Sequence, residues 1–214
     1  WESNLNLLLI TLATLLFIKK KYLTAALLFG LTFWAYQGAK LFTPMILITL
    51  ILIYKPVVKN IVVSSLLLLL LLLPIFAKIE TQSGRLKVFS VFSYVRSTGQ
   101  INEILRQDKT TAKNLTYYLF HSEFLDQGRG VVQRYLNHFS PRFLFIDGDW
   151  SNPRHSTPFY GYLHYPEILT LLIGLYLLLR TNNQLTKLLL LWLLLAPIPA
   201  TLSRDIVSGV RSLP

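Results

Sequence analysis

The 214-residue chain is 53% hydrophobic and only 14% charged, where a soluble domain carries about 25% charged residues. With a mean hydropathy of +0.48, this excludes a disordered chain and argues against a soluble enzyme. The absence of cysteine excludes a disulfide framework and any cysteine-ligated zinc or iron–sulfur centre. A formal charge of +11 points to anionic partners, and where that charge sits matters more than its size.

The chain begins Trp1-Glu2-Ser3, without the basic start of a signal peptide, and it reads as a piece of a longer protein. Six stretches lack Asp, Glu, Lys and Arg: residues 3–18, 22–39, 41–54, 60–77, 168–179 and 188–203. The fourth holds eight consecutive leucines at 66–73. A bilayer core needs about 20 helical residues, and flanking lysines can snorkel past the ends of shorter runs. The leucine-rich runs have no polar face, as a surface helix of a soluble domain would. The expected fold is therefore an all-α polytopic membrane protein of about six transmembrane helices. Its expected parts are four helices in 1–77, a large mixed α/β extracytoplasmic segment in 78–167, and two helices with an external end in 168–214.

Orientation follows from the basic residues. Lys19, Lys20 and Lys21 separate the first two runs, Lys55 and Lys59 the third and fourth, and Arg180 and Lys187 the fifth and sixth. These three connections hold no acidic residue, which predicts a cytoplasmic location. The segment 78–167 is mixed, with eleven Lys/Arg against eight Asp/Glu. Within it, residues 87–95 (KVFSVFSYV) read as a strand, and 100–109 and 127–138 as helices. Residues 135–167 are dense in aromatics, Pro and Gly, and are expected to fold onto the membrane surface as an irregular loop.

Chemistry-bearing residues gather at the predicted outer face. Asp147 and Asp149 flank Gly148, either as an acid/base pair or as caps of a turn. His155 and His164 have no helical ligand spacing, so no metal site is assigned and no cofactor is expected. Nucleotide-binding loops and a nucleophile elbow are absent. Arg204 and Arg211 follow the last apolar run, and Lys40 sits in the turn after Gly38. Guanidinium forks suit phosphate, and these three residues are candidate ligands of a lipid-borne phosphate; ordinary attraction to headgroups is the alternative.

Four motifs then stand in order. They are Trp1-Glu2-Ser3-Asn4-Leu5; Tyr36-Gln37-Gly38-Ala39-Lys40-Leu41-Phe42 followed by Pro44; and Tyr135-Leu136-Asn137-His138-Phe139-Ser140-Pro141 with Phe143-Leu144-Phe145, Gly148-Asp149 and Arg154-His155-Ser156. The last is Ala196-Pro197-Ile198-Pro199-Ala200 with Arg211-Ser212-Leu213-Pro214. Together they resemble bacterial glycosyltransferases of the GT-C fold, the class of the protein O-mannosyltransferases and the aminoarabinose transferases of lipid A. That resemblance implies transfer of a sugar from a polyprenyl- or dolichyl-phosphate carrier on the outer membrane face. It implies Arg211 as a phosphate ligand, with Asp149, Arg154, His155 and Glu2 at the substrate mouth. The general base of such relatives lies in an early external loop outside this chain, so no catalytic carboxylate is assigned. Gln37-Gly38 and residues 205–209 depart from the family pattern. The implied partners are a polyprenyl-phosphate-linked sugar, membrane lipids and an unassigned acceptor, with no nucleic acid. The competing reading is a transporter or flippase of lipid-linked sugars, which would place ionisable or broken-helix sites at mid-bilayer.

Overall fold

A computed structural model describes residues 1–77, 92, 96–110, 113–152, 156, 157, 159–203, 205–209 and 212. The apolar runs form helices α1 (Glu2–Ile18), α2 (Tyr22–Ala35), α3 (Ala39–Tyr54), α4 (Val58–Ala77), α7 (Glu167–Arg180) and α8 (Gln184–Leu195), the last followed by a short α9 (Ile198–Thr201). Between α4 and α7 lie α5 (Thr98–Gln107), α6 (Glu123–Asn137) and two π-helical turns, Tyr117–His121 and Arg142–Ile146.

The helix ends have local causes. Lys20 and Lys55 take left-handed backbone after α1 and α3, and Pro56 prevents continuation of the latter. Asn183 caps α8 by accepting from the Thr186 backbone N–H at 2.7 Å. Ser97 and Gln100 form a reciprocal capping box on α5, and Ser122 caps α6. Arg96 ties these two helix starts together: it pairs with Asp126 at 2.9 Å, its N–H donates to Glu123 at 2.8 Å, and its guanidinium reaches the His121 carbonyl.

Helix α1 packs on α2, α2 on α4, and α3 on α8. Their shared core is Ile10, Ala13, Phe17, Ala25, Phe29, Phe42, Ile46, Leu50 and Leu188. Small residues allow close approach; a Cβ on Gly30 of α2 would overlap the Leu71 side chain of α4. Thr32 and Thr43 satisfy each other across α2 and α3 at 2.8 Å inside this core. Outside it the helices remain apolar: Leu8, Leu12, Leu27, Leu31, Ile48, Leu66, Leu69 and Leu70 are all exposed. In α4 only Leu72 and Ile75 are buried. So broad an apolar surface marks an interaction face.

The bundle has two distinct ends. Phe17 meets Tyr22 and Tyr54, and Gln184 donates to the Ile53 carbonyl at 3.3 Å, which gathers the three basic connections at one end. The opposite end carries the starts of α1 and α3, the end of α8, and α9. There the Tyr135 hydroxyl of α6 donates to the Leu194 carbonyl at 2.9 Å.

Two sequence expectations need correction. Only Val58–Ala77, with 20 residues, and the run Gln184–Thr201, with 18, are long and apolar enough to cross a membrane among the described residues. Six transmembrane helices are therefore not supported. The charge-free runs do become helices, but α2 and α7 have 14 residues each. At 1.5 Å per residue they reach about 21 Å, short of a ~30 Å hydrocarbon core. The mixed α/β segment is also overturned, because every regular element among its described residues is helical. The strand expected over 87–95 lies outside the described residues except for Phe92. The helices expected at 100–109 and 127–138 form as α5 and α6, each starting earlier because a serine caps it.

Candidate functional site

At the end opposite the lysines, the loop after α6 closes onto residues 205–209. His138, at the end of α6, is 3% exposed. Its Nδ1 lies 2.7 Å from the Arg134 carbonyl, which can only accept, so Nδ1 carries the proton. Its Nε2 is then free to accept the Ser208 backbone N–H at 3.2 Å. Burial pushes the His138 pKa down, opposed by its backbone hydrogen bonds and by the charge of Asp149. The imidazole is thus neutral, with both nitrogens engaged.

Asp149 is fully buried, at 0% exposure. Oδ2 accepts the Gly209 N–H at 3.0 Å, and Oδ1 accepts the Ser151 hydroxyl at 3.1 Å. Ser151 also lies 2.7 Å from the Val207 carbonyl, where its single proton can serve only one of the two acceptors at a time. Ser156 donates to the Asp149 carbonyl at 3.1 Å. Gly148 supplies the turn that aims this carboxylate inward: its φ of +58° suits glycine, and a Cβ there would press on the Tyr160 carbonyl. Gly209 is required for closeness, since a Cβ would overlap the Tyr162 hydroxyl. Burial, reinforced by Asp149, pushes the Tyr162 phenol up to about 12, so it stays a neutral donor. Phe143 packs edge-on against the His138 ring, 5.1 Å away, and at a tilt against the Tyr162 ring, 4.9 Å away. Asp147 points elsewhere: it pairs with Arg142 at 2.6 Å, whose guanidinium lies 4.4 Å from the Trp150 ring.

This cluster is a clamp. Its histidine and carboxylate spend their hydrogen-bonding capacity on the backbone of Ser208 and Gly209, leaving neither as a spare base. Unspent capacity lies beside it. Arg134, one turn before His138, has Nε and Nη1 buried without a hydrogen-bond partner. Burial pushes its pKa down, countered by the charge of Asp205. Buried guanidinium donors without acceptors are costly, and an anionic oxygen would satisfy them. Within the bundle, on α1, the amide of Asn6 is fully buried with both polar atoms unpartnered.

Among the residues singled out from sequence, Asp149 belongs to the clamp and is closed off from solvent. Lys40 stands half-buried on the first turn of α3, and Glu2 exposed at the start of α1, both at this same end. Arg154, His155, Arg204 and Arg211 lie outside the described residues. His138, Ser151, Tyr162 and Arg134 were not singled out as site residues. His138 stands inside the third motif, whereas Arg134 has no sequence signal beyond lying one helical turn before it. Among the described residues no three His, Asp or Glu side chains converge as metal ligands. No family model, curated protein or solved structure matches the chain.

Proposed function

We propose that the chain is part of a membrane glycosyltransferase that moves a sugar from a polyprenyl-phosphate donor, of the dolichyl-phosphate type, to an acceptor on the extracytoplasmic face. The observation that carries this reading is the Arg134 guanidinium. Two of its donors are buried and unclaimed, beside a clamped tail, at the end of an apolar bundle. A phosphate oxygen fits those donors, and a long isoprenoid fits the exposed leucine faces. Two helices long enough to cross a bilayer support membrane residence. The gathered lysines favour a cytoplasmic location for their end, which turns the clamp outward. Exposed Phe159, Tyr160 and Tyr165 beside the clamp suit an interfacial position.

In this reading Arg134 joins Arg211, Arg204 and Lys40 as ligands of the donor phosphate. Arg154, His155 and Glu2 are assigned to the substrate mouth, as the resemblance implies. An inverting displacement needs charge stabilisation at the departing phosphate and a base for the acceptor. These cations supply the first; no residue of this chain is assigned as the base.

The test is transfer of radiolabelled sugar from a polyprenyl-phosphate donor by membranes containing the complete protein. Arg211→Ala and Arg134→Ala are each expected to lower transfer at least tenfold, or ~1.4 kcal/mol. Absence of transfer with several sugar donors, together with donor translocation in vesicles, would replace the transferase by a flippase.

A further inference from the structure

Where α1, α2, α3 and α4 meet at the lysine end, they leave an open groove of about 70 Å³. Its walls are apolar, formed chiefly by Phe17, Phe29, Leu47, Ile51 and Leu68. One wall is not: Ser64 of α4 lines the groove, and its hydroxyl is buried without a hydrogen-bond partner. Asn60 and Ser65 add polar atoms on the same helix. The helix ends that form the groove carry Lys19, Lys20, Lys21, Lys55 and Lys59, all exposed. The connections 19–21 and 55–57 contain no acidic residue.

We propose that this groove binds one anionic glycerophospholipid. An acyl chain occupies the apolar walls, Ser64 donates to an oxygen at the glycerol ester level, and the lysines hold the phosphate. Each part of the lipid meets its complement: hydrocarbon against Phe17 and Phe29, an acceptor at the unclaimed hydroxyl, negative charge among five ammonium groups. A zwitterionic lipid would satisfy the walls but not the lysines. An acidic peptide would satisfy the lysines but not the walls. The site lies at the opposite end of the bundle from the clamp and stands independently of the transferase reading.

The experiment is native mass spectrometry of the complete chain released from detergent micelles. The probes are dioleoyl phosphatidylglycerol, dioleoyl phosphatidylcholine and undecaprenyl phosphate. One phosphatidylglycerol should remain bound, retained at least tenfold over phosphatidylcholine and over undecaprenyl phosphate. Replacing Lys20, Lys21, Lys55 and Lys59 by Gln should abolish that preference, and replacing them by Arg should keep it. Ser64→Leu, which fills the groove without touching the charge, should reduce retention at least tenfold. If that variant fails to fold, Ser65→Phe at the rim is read in its place. Equal retention of phosphatidylcholine would overturn the proposal. So would full retention by the groove-filled variant, because the lysines would then be a general anionic surface. Preference for undecaprenyl phosphate would likewise overturn it and assign the groove to an isoprenoid.

Discussion

The two ends of the helical bundle solve opposite problems with different means. The lysine end is built from short connections whose charges all point to solvent, and its order comes from aromatic contacts such as Phe17 with Tyr22 at 5.2 Å. The clamp end is built from long-range hydrogen bonds between buried groups: His138 to Ser208, 70 residues apart, and Asp149 to Gly209, 60 apart. Removing an exposed lysine lets water take its place. Removing a clamp residue leaves buried donors and acceptors with nowhere to go. The ends should therefore respond very differently to the same kind of substitution.

The sharpest contrast is expected from Asp149→Ala. It strips the acceptor from the Gly209 N–H in a site closed to water, while Ser151 keeps the Val207 carbonyl at 2.7 Å, and an orphaned buried donor costs about 1–3 kcal/mol. A loss of ~1–3 kcal/mol should appear in denaturant unfolding of the detergent-solubilised chain. A loss below ~0.5 kcal/mol, the range of ordinary surface changes, would show that the carboxylate does not hold the tail. Gly209→Ala comes next. The added methyl collides with the Tyr162 hydroxyl, and overpacking of this kind costs ~1–3 kcal/mol. Tyr162→Phe should relieve part of that clash, so the double variant should be more stable than the sum of the two single losses. Strict additivity would separate Tyr162 from Gly209.

Protonation tests the same clamp with a smaller effect. His138 is held neutral, with its pKa below the ordinary 6.5 mainly by burial. Above about 6.5 neither the folded nor the unfolded chain protonates this residue, and the clamp is fully present. As pH falls below that value, the unfolded chain takes up a proton that the folded chain resists, so stability declines with falling pH. A protonated Nε2 would also stop accepting from Ser208. Unfolding measured from pH 7.5 to 5 should show this decline in the parent and a weaker one in His138→Gln. An identical slope in the two would assign the pH dependence elsewhere.

The same contrast explains what was legible in the sequence. Charge-free runs mark helices because a buried or lipid-facing helix tolerates few charges, so α1 to α4, α7 and α8 could be placed within a few residues. Helix length was less legible. Lys20 and Lys55 adopt left-handed backbone, and Tyr36 turns extended, which cuts α1, α2 and α3 to 17, 14 and 16 residues. Composition does not report such stops. The clamp was least legible of all. Asp149 drew attention as one half of an Asp-Gly-Asp pair, yet its partner Asp147 faces Arg142 and its real neighbours come from a distant stretch of chain. A local motif cannot reveal that a carboxylate is spent on a backbone N–H sixty residues away.

The smallest effect on stability is expected at the lysine end, and it sharpens the comparison most. Lys20 and Lys55 are exposed, and neither contributes to the core. Their replacement by Gln should change unfolding by less than ~0.5 kcal/mol, the usual range for surface changes away from caps and networks. Both residues, however, occupy left-handed backbone, at φ 61° and 45°. There a non-glycine residue carries strain of about 1 kcal/mol. Lys20→Gly and Lys55→Gly should therefore match or exceed the parent in stability, while the Gln variants stay within ~0.5 kcal/mol of it. A clear loss in both glycine variants would mean that the lysine stems pack on the bundle. The lysine end would then share the clamp's dependence on specific contacts, and the division between the two ends would fail.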